Sequence, residues 1–180
     1  MTTTVRGAQS VPTAPERTAL SPTAAITFAV LRLLIAFQFL WAFADKTFGL
    51  GLATPAENAW ISGGSPTEGF LSNVEGPFAD FFGAMAGVVV IDWLFMLGLL
   101  GIGLALALGI GMRIAAGAGA LLLVMMWMAA LPIDVNPFLD DHLIEAVVLI
   151  GLAAVAAGDT FGLGRRWAAT DLVRRYPILR

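Results

Sequence analysis

The chain has 180 residues, of which 58% are hydrophobic and 13% charged, where a soluble domain carries about 25% charged residues. Its formal charge of −3 says little by itself, and no nucleic-acid partner is expected. With no cysteine and one histidine, the chain excludes a disulfide, a thiolate metal site, an iron–sulfur cluster and a haem held by two of its own histidines.

The apolar residues fall in long blocks, the pattern of a multi-pass membrane protein. Residues 1–23, rich in Thr, Pro, Ala and Ser, read as a mobile tail. The first apolar block lies in TAAITFAVLRLLIAFQFLWAFADK and predicts a membrane helix over about 24–46. A signal peptide cleaved near Ala42-Phe43-Ala44 is the alternative; the length of the block and the interruption by Arg32 stand against it. Residues 47–85 form a long loop with Glu57, Glu68, Glu75 and Asp80 and no basic residue. Within it, FADFFGAMAG (78–87) is expected to be a short aromatic helix in the interface. Three further helices are predicted over about 86–111, 113–131 and 137–158. Each has about 20 residues, enough for the ~30 Å of hydrocarbon in a bilayer. The expected fold is therefore all-α, a bundle of four transmembrane helices in the cell membrane.

Positive charge sets the expected orientation. Arg6 and Arg17 precede the first helix, Arg113 lies between the second and third, and Arg165, Arg166, Arg174, Arg175 and Arg180 occupy the last segment, 161–180. Both termini are thus expected in the cytoplasm and the acidic loop outside. Small residues at spacing four (Gly101, Ala105 and Gly109; Gly103, Ala107 and Gly111; Ala116 and Ala120; Ala153 and Ala157) predict close helix packing.

Ionisable and polar groups inside a span are costly, so each is a candidate for function. Arg32 lies well inside the first helix. It is expected to snorkel to the cytoplasmic face, or to anchor an anionic lipid head or a buried carboxylate. Gln38, Trp41 and Asp45 share one face near the outer end of that helix. Interfacial anchoring explains Lys46 and competes with function at Gln38 and Asp45. Asp92 sits about five residues into the second helix, where the dipole favours an acid by less than a charge at that depth costs, so a partner such as Lys46 is expected. Asn136-Pro137 reads as the N-cap and first residue of the fourth helix. Asp140 and Asp141 then help to start the helix, while Asp141, His142 and Glu145 project from one face, a grouping suited to proton exchange. A metal site using His142 with Asp141 or Glu145 is the weaker alternative, because a tetrahedral site needs more donors than these. No metal is assigned.

Four segments together resemble the DoxX/DoxD membrane proteins, whose relatives include the large subunit of thiosulfate:quinone oxidoreductase. They are LRLLIAFQFLWAFADKTFGLG, AWISGGSPTEGFL, DWLFMLGLLGIGLALALGIGMRIA and NPFLDDHLIEAVVLIGLAAVAAGDTFGLGRRW, covering most of 30–167. The resemblance implies a four-helix membrane subunit that oxidises a sulfur compound such as thiosulfate and reduces a membrane quinone. His142, Asp141 and Glu145 are the candidates for proton exchange. Gln38, Trp41, Asp45, Asp92 and Arg32 are candidates for a quinone slot or for buried charge partners. With no thiol in the chain, electrons must come from a partner subunit or pass between two bound small molecules. A partner subunit or a homo-oligomer is expected. The second reading is a non-catalytic anchor, assembly factor or small transporter that docks a partner through the outer loop.

Overall fold

The computed structural model describes residues 20–133 and 136–180. The expected tail, 1–23, lies almost entirely outside the described residues. Among those described, the chain is helical throughout, with no strand. Four longer helices form the body: α1 (Pro22–Phe48), α4 (Val89–Leu108), α5 (Met112–Ala129) and α6 (Asp141–Ala154). Two short helices, α2 (Glu68–Leu71) and α3 (Ala79–Gly83), lie in the loop after α1, and α7 (Gly164–Ala168) and α8 (Asp171–Arg175) follow α6.

Local chemistry explains the ends. The Ser21 hydroxyl accepts from the Ala24 N–H at 3.2 Å and Pro22 takes the first helical position, which together start α1. Gly49, at φ +63°, ends it in the left-handed region. A side chain there would also collide with the backbone of Pro55 and Ala56, which packs against the helix end. Gly109, at φ +71°, stops α4 at Leu108, three residues before the expected end at 111.

Three helices, α1, α4 and α5, are long and apolar enough to cross a membrane. The fourth departs from expectation. α6 has 14 residues, about 21 Å at 1.5 Å per residue, where 137–158 was expected. At its start, Asn136 does not cap the helix: its Oδ1 accepts from the N–H groups of Phe138 and Leu139 and turns the chain. Asp140 is the N-cap, accepting from the Leu143 N–H at 3.2 Å. At the other end Ala156 sits at φ +53° and breaks the helix before Gly158. The interfacial helix expected over 78–87 is also shorter, Ala79–Gly83, and its Phe82 is buried with Leu71 and Ala129.

The four long helices run up, down, up and down. At one end, Arg32 of α1 meets the last turn of α4 and the segment after α6, and Arg113 at the start of α5 meets Pro177 and Arg180. At the other end, Asp92 of α4 meets the outer loop, and Trp127 of α5 donates to the Phe138 carbonyl just before α6. Packing is closest between α1 and α4 and between α5 and α6. Gly103 admits Leu40 at the first contact, and Gly119 admits Leu149 at the second. Gly101, one of the small residues expected to pack, faces open space. Ile35, Phe39, Met96, Leu106 and Leu149 form the centre of the core.

Candidate functional site

Arg32 is wholly buried, so it does not snorkel, and its guanidinium has no carboxylate partner among the described residues. It donates to four backbone carbonyls instead. Nη1 bonds Leu106 O and Ala107 O (the latter at 3.0 Å), and Nη2 bonds Thr160 O at 3.3 Å and Phe161 O at 3.0 Å. The Leu163 N–H takes the next carbonyl, Leu108 O, at 2.8 Å. The C-terminal carbonyls of α4 thus find their partners in α1 and in the turn after α6. A cation is also favoured at the negative end of a helix dipole. Gly109, Gly158, Gly162 and Gly164 crowd around this point, and a Cβ on Gly158 would lie within 3.0 Å of the Gly109 backbone. The Gly-Leu-Gly ending of the fourth apolar block is therefore a wrapping around Arg32.

Asp92 is buried, and its partner is the outer loop rather than Lys46. Oδ1 accepts from Ser65 Oγ at 2.8 Å, from Thr67 Oγ1 at 2.6 Å and from the Thr67 N–H at 3.3 Å. The carboxylate staples Ser65-Pro66-Thr67 onto the start of α4. Asp92→Ala removes three charge-assisted bonds, each worth about 1.5–3 kcal/mol. Limited proteolysis should then cut between Gly63 and Thr67 at least tenfold faster, while α4 and α5 stay protected. An unchanged cutting rate would show that the staple does not hold the loop.

The structure splits the expected Asp141–His142–Glu145 group. His142 Nδ1 lies 2.7 Å from Asp140 Oδ2 and 3.5 Å from Asp141 Oδ1. Glu145 turns toward α1, where Gln38 Nε2 lies 3.0 Å from each of its oxygens. Ten residues of α1 separate Gln38 from Phe48, about 15 Å, and four residues of α6 separate Glu145 from Asp141, about 6 Å. With Gln38 and Glu145 level, α6 starts about 9 Å below the end of α1. Asp140, Asp141 and His142 cluster at the start of α6, Asp141 exposed and the other two partly so. One ligand atom from each lies within 4.8 Å of the others, close enough to share a cation. All three come from one helix start, where Asp140 already serves as cap.

Trp41 is 40% exposed on the outside of α1, its ring 5.9 Å from that of Phe37. Asp45 is 1% exposed, and neither of its oxygens has a hydrogen-bond partner among the described residues. Lys46, its neighbour, places Nζ 5.9 Å from the centre of the Phe95 ring.

Lys46 stands at the edge of a groove of about 510 Å³ between α4 and α5, roofed by the outer loop. Its walls are apolar, including Phe95, Gly98, Leu121 and Met125, and Lys46 is its one charged lining residue. None of the eight expected site residues lines it. A second cavity of about 190 Å³, with charged and apolar walls, lies at the opposite end of the bundle, between Arg113, Asp159, Trp167 and Arg180. Sequence reading missed the groove because its lining residues are ordinary apolar ones. The available signal was Lys46, a lone cation after an apolar helix.

Comparison of the chain with protein-family models, with curated proteins and with solved structures finds no match.

Proposed function

We propose that this is a DoxX-like, multi-pass protein of the cell membrane that binds a membrane quinone in the α4/α5 groove, as the membrane subunit of an oxidoreductase acting on a sulfur compound such as thiosulfate. In this reading α6 and its flanking turns complete a fourth crossing. The arginine-rich end, with Arg113, Arg165, Arg166, Arg174, Arg175 and Arg180, faces the cytoplasm.

The groove carries the proposal. Its volume falls within the ~300–1,000 Å³ range of small-molecule sites, and its apolar walls suit an isoprenoid chain. Lys46 supplies the one strong donor, as a quinone carbonyl requires, and makes no ion pair among the described residues. When bound, a quinone supplies two-electron, two-proton acceptor chemistry. The chain's own part is to hold the chain of the quinone out of the bilayer, orient one carbonyl at Lys46 and keep water out beneath the outer loop. The Gln38–Glu145 and His142–Asp140 pairs stand on the α1/α6 side and do not hold the quinone.

Gly98 lines the groove and a Cβ there meets nothing within 4 Å, so Gly98→Leu projects its side chain into the groove. Protein purified gently from membranes should carry a quinone that organic extraction releases. Gly98→Leu should lower the quinone retained at least tenfold with an unchanged melting temperature, whereas His142→Ala should retain it in full. Equal quinone in wild type and Gly98→Leu would remove it from this groove. The anchor reading is supported by Leu52 and Ile61, which project from the outer loop at 74% and 68% exposure. A co-purifying protein with no quinone would favour it.

A further inference from the structure

The Gln38–Glu145 pair lies on the outside of the bundle, about three-fifths of the way along α1. In hydrocarbon an amide and a carboxyl group both need partners. Glu145 engages Nε2 of Gln38, while Oε1 of Gln38 accepts no hydrogen bond among the described residues. Both carboxylate oxygens lie 3.0 Å from the one nitrogen, so a single N–H shared between them leaves the other N–H and the amide oxygen for a further partner.

The surface around them is patterned. Val30, Leu34, Phe37 and Trp41 are all exposed and recur at spacings of four, three and four. That alternation is the seam of two helices packed with a small left-handed crossing. Identical chains inserted in one membrane share one orientation, so a two-fold axis relating them runs along the membrane normal. Residues beside such an axis meet their own counterparts at the same depth. A primary amide suits this position because it donates and accepts at once, so Gln38 can pair with the Gln38 of a second copy. Glu145 cannot sit on the axis, since two carboxylates there would repel. The structure places it to one side, holding the other N–H of the amide.

We infer that the α1 face carrying Leu34, Phe37, Gln38 and Trp41 is the interface of a parallel homodimer, closed at its centre by an amide pair between the two copies of Gln38. The interface lies apart from the α4/α5 groove, so quinone retention and dimerisation can fail independently.

The absence of cysteine makes the test clean. Leu34→Cys and Trp41→Cys, made singly in the full chain, are oxidised in native membranes with copper phenanthroline. Each should cross-link to twice the monomer mass. Gly98→Cys and Leu121→Cys, on the groove side, should stay monomeric. Gln38→Leu should lower cross-linking of the Leu34→Cys reporter roughly tenfold, the effect of one interhelical hydrogen bond in a membrane. The inference is overturned by cross-linking at the groove positions to the same extent, by no cross-link at any α1 position, or by an adduct with the mass of a different protein. It is overturned equally by cross-linking that Gln38→Leu leaves unchanged.

Discussion

Arg32→Ala should leave almost no folded protein in detergent. A hydrogen bond to a charged donor contributes about 1.5–3 kcal/mol, and Arg32 makes four. A whole domain has a margin of only about 5–15 kcal/mol. The substitution also leaves the carbonyls of Ala107, Thr160 and Phe161 without that donor, and Leu106 O with the Gly109 N–H at 3.2 Å. Arg32→Lys should recover part of the loss. Its single nitrogen carries the charge but cannot spread over two pairs of carbonyls as the planar guanidinium does. Arg32→Met keeps most of the volume and no donor, so it should resemble alanine. The midpoint of unfolding in SDS, measured for all four proteins, gives the order Arg, Lys, then Met with Ala. A methionine variant as stable as wild type would show that the residue fills space and caps nothing.

Two glycine substitutions only seven positions apart should move stability in opposite directions. In Gly158→Ala the new methyl group enters the Gly109 backbone, and neither side of that contact is a side chain able to swing away. Overpacking of this kind costs about 1–3 kcal/mol, and here it also pushes the 158–164 turn off Arg32. Gly151→Ala lies inside α6, facing open space. It should stabilise by about 0.5–1 kcal/mol, because alanine loses less backbone freedom in a helix. Thermal unfolding of the two variants checks both signs. Equal shifts would mean that the Gly109–Gly158 contact is looser than the structure shows.

The three long helices were legible because an apolar run of about 20 residues has few other solutions. The ends of α6 were not. Asn136 and Asp140 are equally good caps in composition, and only the turn at Phe138 and Leu139 decides between them. The apolar run also continues past Ala154 through Ala156, whose left-handed backbone nothing in the composition announces. Arg32, Gln38, Asp92 and Glu145 were each visible as polar groups in apolar surroundings. Their partners were not, for two reasons. Arg32 binds main-chain carbonyls, which every residue has. Gln38 and Glu145 are 107 positions apart and meet only once the helices have taken their places. The groove was the least legible feature, because it is a gap between helices and no residue type marks a gap.

The spacing of the Arg32 contacts also sets a timetable for synthesis. Its farthest acceptor, Phe161 O, comes 129 residues later in the chain. At ~5–20 residues per second, the guanidinium waits about 6–26 s between its own addition and that of the last carbonyl it will bind. Through that interval α1 is a nascent helix with an unneutralised charge a third of the way along it. Until the C-terminal turn closes, the insertion machinery or the headgroup layer must shelter that charge.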